Sequence, residues 1–191
     1  MDKKIDLLIE NWQKRNISGF YCFDKVETLK KLLELIPSSA SVGLSGSVTL
    51  SELDVVAKLE ARGNQVFDQG KPGISKEESW KLRQAGVQAD YFLTSANAIS
   101  EKGELVFLSA WGHRIAGISN AKNVIIVAGV NKLTPDLDAA IKRAREYATP
   151  LNYKRLNWDA NRIMRCQILI VEAEAVPDRL KVILVGESLG F

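Results

Sequence analysis

The residues best suited to bind a ligand lie in one glycine- and hydroxyl-rich stretch, between Val42 and Leu50. Directly after a short apolar run, this stretch contains Ser45, Gly46, Ser47, Val48 and Thr49. Glycines let the backbone turn sharply and approach a bound group, and hydroxyls beside the free N–H groups of a helix N-terminus suit an anion. Strand-to-helix connections also carry Gly and Ser where only a turn and a helix cap are needed. The pattern therefore predicts an anion site, with a purely structural turn as the alternative.

Two further segments carry side chains that could face the same ligand. These residues are Ser95 and Asn97 in the first segment, and Trp111, Gly112, His113 and Arg114 in the second. Arg114 offers a planar, bidentate donor for a carboxylate or a phosphate. His113 is the single histidine of the chain and could act as a general acid or base. The alternatives are an arginine paired with an acidic neighbour and a histidine that only packs.

Two glutamates, Glu101 and Glu104, flank a predicted turn at Lys102-Gly103. Either carboxylate could serve as a nucleophile or a base, although glutamates at the tip of a hairpin commonly face water. The sequence has no Gly-x-Ser-x-Gly elbow, complete phosphate-binding loop, dinucleotide fingerprint or cluster of metal ligands. No metal and no cofactor are therefore predicted.

The composition limits the class of protein. The chain has 191 residues, is 46% hydrophobic and carries a net charge of +3 from 26 basic and 23 acidic residues. Because these charges alternate along the chain, nucleic-acid binding is not predicted. We find neither a signal peptide nor an apolar run long enough to span a membrane, so we expect a cytoplasmic protein. Cys22 and Cys166 are far apart in sequence and are predicted to be buried free thiols.

Apolar periodicity and turn residues place these segments on an alternating series of helices and strands. The predicted helices cover residues 2–16, 24–36, 49–63 (from a capping box at Thr49 and Glu52), 75–85, 112–119, and a last one from Thr134-Pro135-Asp136 that ends before Pro150. The predicted strands cover residues 19–23, 41–44, 65–67, 89–93, 104–108, 123–129, 166–171 and 180–185.

This alternation predicts an α/β fold with a doubly wound, mostly parallel sheet, an N-terminal helix and a C-terminal strand pair. Ligands of such sheets bind at the carboxyl ends of the strands. The three segments follow predicted strands or the predicted hairpin, so we expect them to meet there. We expect a single domain, in which residues 1–40 form a helical segment packed on an α/β core of residues 41–191.

Several longer motifs indicate a family. They are Gly46-Ser47-Val48-Thr49-Leu50, Phe92-Leu93-Thr94-Ser95-Ala96-Asn97-Ala98-Ile99, Gly103-Glu104-Leu105-Val106, Ala128-Gly129-Val130-Asn131-Lys132, Pro135-Asp136-Leu137, residues 148–156 and residues 181–191. With these motifs the chain resembles the LUD (lactate-utilisation) domain family from about Ser41 to its C-terminus. The resemblance implies a fold like that of ribose-5-phosphate isomerase, glucosamine-phosphate deaminase and the CoA transferases, whose first Gly/Ser-rich loop holds a phosphate or carboxylate. It also implies a role in lactate oxidation to pyruvate, beside iron–sulfur partners.

The sequence departs from the family pattern at two places. Phe107, Trp111 and His113 stand in a segment where the family carries smaller polar residues before its arginine. The family's cysteine-rich insert before the last strands is also absent, with Cys166 as its only remnant. Since one thiol cannot hold an iron–sulfur cluster, we expect no cluster in this chain.

Three functional hypotheses follow. In the first, the chain is a LUD-type protein of lactate or organic-acid utilisation that holds a small anion, such as an organic acid, a sugar phosphate or a CoA ester, at Ser45 to Thr49 and Arg114. In the second, it is an isomerase or acyl/CoA transferase that acts through Glu101 or Glu104 with His113 as proton carrier. In the third, it is a non-catalytic subunit of a lactate-oxidising complex, docked through its helices to a partner or to a second copy.

Overall fold

The computed structural model describes residues 3–158 and 167–191. Its α-helices are α1 (Lys3–Lys14), α2 (Lys25–Leu35), α3 (Val48–Glu52), α4 (Val55–Ala61), α5 (Lys76–Val87), α6 (His113–Asn120), α7 (Leu137–Arg143) and α8 (Thr149–Arg155). Its strands are β1 (Ser18–Cys22), β2 (Val42–Leu44), β3 (Val66–Phe67), β4 (Tyr91–Thr94), β5 (Ala98–Ser100), β6 (Leu105–Ser109), β7 (Asn123–Gly129), β8 (Leu133–Thr134), β9 (Gln167–Val171) and β10 (Leu180–Val185). A 3-10 turn covers Val130–Lys132, and a π-helical turn covers Ala144–Ala148.

Six strands form a central sheet in the order β1-β10-β7-β4-β2-β3, and every neighbouring pair in it is parallel. Successive residues of a strand point to opposite faces, and β7 is buried on both. Val124 and Ile126 join a core cluster on one face with α1 and α6, and Ile125 and Val127 join another on the opposite face with α2, α3 and α4. The predicted α/β fold with a mostly parallel sheet is therefore confirmed.

A second sheet of four strands, in the order β8-β5-β6-β9, lies beside the first. Strands β5 and β6 form a hairpin around the predicted turn at Lys102-Gly103, where Gly103 has a φ of 106°; the second strand was predicted, and β5 was not. Both predicted C-terminal strands are present, but they belong to different sheets. Strand β9 pairs antiparallel with β6, whereas β10 lies between β1 and β7 in the central sheet. Residue 166, the predicted first residue of β9, lies outside the described residues.

Two helix predictions differ from the structure. The predicted helix over residues 49–63 is two short helices, because Asp54 adopts a left-handed conformation with a φ of 51°. Its cap is Ser47 and not Thr49, since Ser47 accepts the hydrogen bond from the Leu50 N–H. The helix expected to end before Pro150 instead continues through the π-helical turn into α8. Pro150 is the second residue of α8 and follows the π-helical turn closely, so the residue without an N–H lies where the helical hydrogen-bond pattern changes.

A close contact between two glycines fixes the position of β2 against α5. A Cβ built on Gly43 would lie 1.9 Å from the carbonyl oxygen of Gly86 in α5. Only glycine at position 43 allows this approach. The strand that leads into the Ser45 loop is thereby held directly against the helix behind it.

Two observations concern the thiols and the membrane. Cys22 is buried, and burial raises the pKa of its thiol. Cys166 lies outside the described residues. Within residues 3–158 and 167–191, no helix is both long and apolar enough to cross a bilayer.

Candidate functional site

The carboxyl ends of β2, β4, β7 and β10 open into one cleft of about 390 Å³. Each of these strands is followed by residues that line it: residues 46–49 after β2, Ser95 to Asn97 after β4, Lys132 after β7 and Phe191 after β10. The segment between the second sheet and α6 closes the other side with Trp111, His113 and Arg114. The three predicted segments thus come together, as expected for strand ends of a parallel sheet.

Ser45 and Gly112, the remaining predicted ligand-binding residues, lie behind the cleft wall. Ser45 is 2% exposed, and its hydroxyl lies 2.5 Å from that of Thr94. Gly112 precedes α6 with a φ of 75°, a left-handed conformation that suits glycine. Both residues shape the site from beneath.

The Arg114 guanidinium binds three parts of the cleft wall together. Its Nε donates to Ser45 Oγ (3.2 Å), and one terminal nitrogen donates to Asn97 Oδ1 (3.1 Å) and to the Leu108 carbonyl (3.0 Å). The other terminal nitrogen donates to the Gly46 carbonyl (2.7 Å). Arg114 therefore positions the Ser45 loop and Asn97, and it adds a positive charge to the cleft.

The Ser45 loop also uses some of its polar groups internally. With its amide nitrogen facing the Leu44 carbonyl (2.6 Å), Gln69 places its amide oxygen 2.7 Å from the Gly46 N–H. Ser47 Oγ accepts from the Leu50 N–H, and the helix that begins there, α3, has five residues. A helix this short has only a small dipole. The positive potential of the cleft must come mainly from side chains.

Lys132 supplies the main feature that the sequence reasoning missed. Its side chain is 2% exposed, and its ammonium donates to Thr49 Oγ1 (2.9 Å) and Ser95 Oγ (2.8 Å). Burial, together with the guanidinium groups of Arg114 and Arg143, lowers the pKa of Lys132 to about 7. One sequence feature could have identified Lys132: it follows the apolar strand β7 by three residues and so lies at the edge of the sheet where ligands bind.

The C-terminal segment closes over this lysine. The Leu189 N–H donates to Asn131 Oδ1 (3.1 Å), and Asn131 Nδ2 donates back to the Gly190 carbonyl (3.2 Å). Thr49 Oγ1 also lies 3.3 Å from the Leu189 carbonyl. A Cβ on Gly190 would lie 2.7 Å from Thr49 Oγ1, and the φ of Gly190 is 58°. A side chain at position 190 would therefore press on the Thr49 and Lys132 pair.

His113 lies in the cleft wall with both ring nitrogens buried and without a hydrogen-bond partner among the described residues. Burial, as the largest cause, and the charges of Arg114 and Arg83 together lower the pKa of His113 to about 4. The imidazole is therefore neutral at pH 7, which suits a proton acceptor better than a fixed cation. The Nε of Arg83 is likewise buried without a partner in the described part of the chain.

The cleft has a strongly one-sided charge. Its described lining includes four cationic side chains, which belong to Arg83, Arg114, Lys132 and Arg155. No Asp or Glu occurs among those lining residues. Cations gathered in a low-dielectric cleft raise the local concentration of anions. We call this set of four side chains the cationic lining.

A wider cavity of about 1080 Å³ adjoins the cleft and has aromatic walls. The two cavities share seven lining residues, which are Gln69, Gly70, Arg83, Ala110, Trp111, Tyr153 and Trp158. Trp158 contacts both Trp111 and Tyr153 edge-to-face, at ring-centroid distances of 6.3 and 5.1 Å. Trp111 remains 57% exposed and faces this entrance. Phe107, from the same bulky segment, is instead buried in the core.

The structure places Glu101 and Glu104 outside the cleft lining, at the hairpin turn beneath α1. Glu101 pairs with Lys4 at 3.3 Å, and Glu104 pairs with Arg15 at 2.7 Å. Burial by itself raises the pKa of the Glu104 carboxyl. The hydrogen bond from Ser100 and the Arg15 guanidinium outweigh this effect and hold the pKa below its ordinary value. These contacts attach α1 to the second sheet.

Among the described residues, no group of three or more His, Cys, Asp or Glu side chains that could hold a metal ion comes together. The donors that do converge are hydroxyl, amide, ammonium and guanidinium groups. Such donors suit an anion and not a cation.

Comparison with known proteins agrees with this architecture. A DUF162 family protein from Deinococcus radiodurans has a similar solved structure, with a TM-score of 0.58 and 12% sequence identity over 96% of this chain and 97% of that one. Ribose 5-phosphate isomerase A from Methanocaldococcus jannaschii aligns with a TM-score of 0.39 and 17% identity over 59% of this chain and 55% of that one. No curated protein sequence matches the chain.

The family model of the LUD domain matches residues 5–185, which is nearly the whole chain. The match includes the cleft-lining segments after β2, β4 and β7 and the segment before α6. By this match, and in keeping with the resemblance expected from its motifs, the chain belongs to the LUD domain family.

Proposed function

We propose that this chain binds a small organic acid in the cleft at the strand ends, as part of lactate or related organic-acid utilisation. One observation carries the proposal: the cationic lining surrounds the cleft, and no Asp or Glu side chain occurs among the described residues that line it. Lys132 is buried, and Arg83 and Arg114 are partly buried. Cations shielded from water in this way are costly to the free protein, and an anionic ligand relieves that cost. The family, which relates to lactate utilisation, supports the metabolic setting.

The size and chemistry of the cleft favour a small carboxylate. A volume of about 390 Å³ holds a compact acid together with ordered water. The hydroxyl groups of Ser47, Thr49 and Ser95 and the amide of Asn97 can hydrogen-bond a hydroxyl or carbonyl group of such a ligand. Arg114 is already engaged with the wall, so in this proposal Arg83 is the cation that meets the carboxylate, and Lys132 lies beside the ligand as a hydrogen-bond donor.

Thermal unfolding in the presence of matched ligands tests the proposal. Lactate and pyruvate should raise the melting temperature in a saturable way, whereas lactamide, an uncharged analogue of lactate, should not. Sulfate serves as the control for a simple salt effect. The rise should shrink as ionic strength increases, because the attraction is electrostatic.

Two variants show whether the effect comes from the cleft. Lys132→Met and Arg83→Gln should each reduce the response to lactate, while Lys58→Met, an exposed change on α4, should retain it. If lactate, pyruvate, ribose 5-phosphate and acetyl-CoA all leave the melting temperature unchanged, or if the response survives in both cleft variants, the proposed function is wrong.

A further inference from the structure

The environment of Lys132 differs from that of an ordinary anion-binding lysine. A lysine that only attracts charge keeps its ammonium protonated, usually beside a carboxylate or in contact with water. Lys132 is 2% exposed, and its two hydrogen-bond partners in the described structure are the hydroxyls of Thr49 and Ser95. Hydroxyl groups accept from an ammonium and donate to a neutral amine equally well. The site therefore accommodates the uncharged form of this side chain.

The surrounding charges act in the same direction. The guanidinium groups of Arg114 and Arg143 disfavour a third positive charge, and the opposing effect of Glu52 is smaller. Desolvation is the largest cause and lowers the pKa of Lys132 to about 7. An amine with a lone pair on the floor of a ligand cleft is a nucleophile for carbonyl carbon.

We propose that Lys132 Nζ forms an imine with the carbonyl carbon of a 2-oxo acid held in the cleft. This inference rests on the proposed function, because the guanidinium groups of the cationic lining must hold the carboxylate of the same ligand while Lys132 reacts as the neutral amine. It narrows the ligand class from small organic acids to those that carry a carbonyl group next to the carboxylate. It also gives Lys132 a covalent role.

The step balances without an oxidant or a reductant. The Nζ lone pair forms a C–N bond while the carbonyl π electrons move to oxygen, which takes a proton. The oxygen then leaves as water with both hydrogens of the amine, and a C=N bond replaces the C=O bond. The hydroxyls of Thr49 and Ser95, at 2.9 and 2.8 Å from Nζ and 3.2 Å from each other, lie where they can accept and return these protons.

Reductive trapping tests the inference on the full chain. The protein is incubated with pyruvate and sodium cyanoborohydride at pH 7, and the adduct is located by intact-mass measurement and peptide mapping. We expect one adduct per chain, on Lys132, saturating with pyruvate concentration. Its labelling rate should exceed that of the exposed Lys58 by about a thousandfold, which is the ratio of neutral amine at pH 7 between a group with a pKa of about 7 and an ordinary solvated lysine.

Two controls separate imine formation from simple binding. Lactate carries the same carboxylate and no carbonyl, so lactate with cyanoborohydride should leave the mass unchanged. Lys132→Arg keeps a positive charge and should lose the adduct. If this variant does not fold, the mapped position of the adduct in the unmodified sequence decides the question.

The outcomes distinguish this inference from the proposed function. A pyruvate-dependent rise in melting temperature without an adduct on Lys132 overturns the imine and leaves organic-acid binding intact. Adducts spread over exposed lysines, with no preference for Lys132, overturn it as well. If neither a thermal shift nor an adduct is found with any of the acids, both proposals fail.

Discussion

Replacing Lys132 by methionine should stabilise the free protein at neutral pH and remove a pH dependence of its stability. Methionine keeps the length and apolar stem of the side chain and removes the buried ammonium. Lowering the pKa of Lys132 from its ordinary 10.5 to about 7 corresponds to an electrostatic cost of about 5 kcal/mol at low pH. The variant loses two hydrogen bonds to hydroxyls, together worth about 2 to 3 kcal/mol. We therefore expect a net gain of about 2 kcal/mol at pH 7.

The pH dependence is the sharper observable, and its sign follows from proton binding. Between about pH 7 and 10.5 the unfolded chain holds a proton on Lys132 that the folded chain has released. Stability then rises with pH in this window. From pH 7 to pH 10 the unmodified protein should gain about 3 kcal/mol relative to Lys132→Met.

Urea unfolding at both pH values measures the difference directly. The exposed Lys58→Met is the matched control, and its stability should follow that of the unmodified protein across the same range. Comparing variants cancels the titration of all other groups. If Lys132→Met and the unmodified protein change in stability by the same amount between pH 7 and 10, the lysine is not held in a charge-disfavouring site, and the chemistry argued for it is wrong.

Three further substitutions test the site and the scaffold. The pKa of His113 is about 4 in the folded chain and near 6.5 in the unfolded chain, so the protein should lose stability as the pH falls through this range. His113→Asn removes this titration, and between pH 7 and pH 4.5 it should lose about 2 kcal/mol less free energy of unfolding than the unmodified protein, as measured by urea unfolding. Gly43→Ala should lower the free energy of unfolding by about 3 kcal/mol, since its Cβ would lie 1.9 Å from a backbone oxygen of α5; an unchanged denaturation midpoint would contradict that contact. Gly190→Ala should weaken lactate binding about tenfold by calorimetry, through its approach to Thr49 at 2.7 Å. Its control, Gly73→Ala, also starts from a positive φ but meets nothing within 4 Å, and equal effects of both would refute the contact.

Local sequence signals predicted most of the fold because the central sheet is built from local elements. The apolar run of β7 and the alternation of strands with amphipathic helices are enough to specify a parallel sheet covered on both faces. Pairing between distant segments could not be predicted in the same way. Strands β9 and β10 are neighbours in sequence, yet β9 completes the second sheet and β10 fills the centre of the first. Which sheet a strand joins depends on the partners available, and no local pattern in either strand carries that information.

Helix ends differed from prediction where tertiary contacts override local preference. Thr49 with Glu52 has the spacing of a capping box, but the Thr49 hydroxyl is used by Lys132, and Ser47 caps α3 instead. The left-handed conformation of Asp54 then separates α3 from α4. Such a residue costs about 1 kcal/mol, which packing of the following helix α4 must offset. Leu59 of α4 is buried in the core and supplies part of that packing.

The three predicted segments meet at one cleft, but the sequence reasoning missed the buried lysine in its lining, and the reason is physical. The predicted anion site depended on free N–H groups at a helix N-terminus, yet α3 has five residues and the Gly46 N–H faces Gln69. Instead, the Thr49 hydroxyl of this loop accepts a hydrogen bond from the Lys132 ammonium, which lies 83 positions further along the sequence. A buried lysine between two hydroxyls cannot be recognised from either segment alone, because its low pKa comes from desolvation and from guanidinium groups on two other helices. The loop at Ser45 to Thr49 and the turn after β7 are thus joined by the bond between Thr49 and Lys132, and that contact exists only once the sheet has brought the ends of β2 and β7 to the same edge.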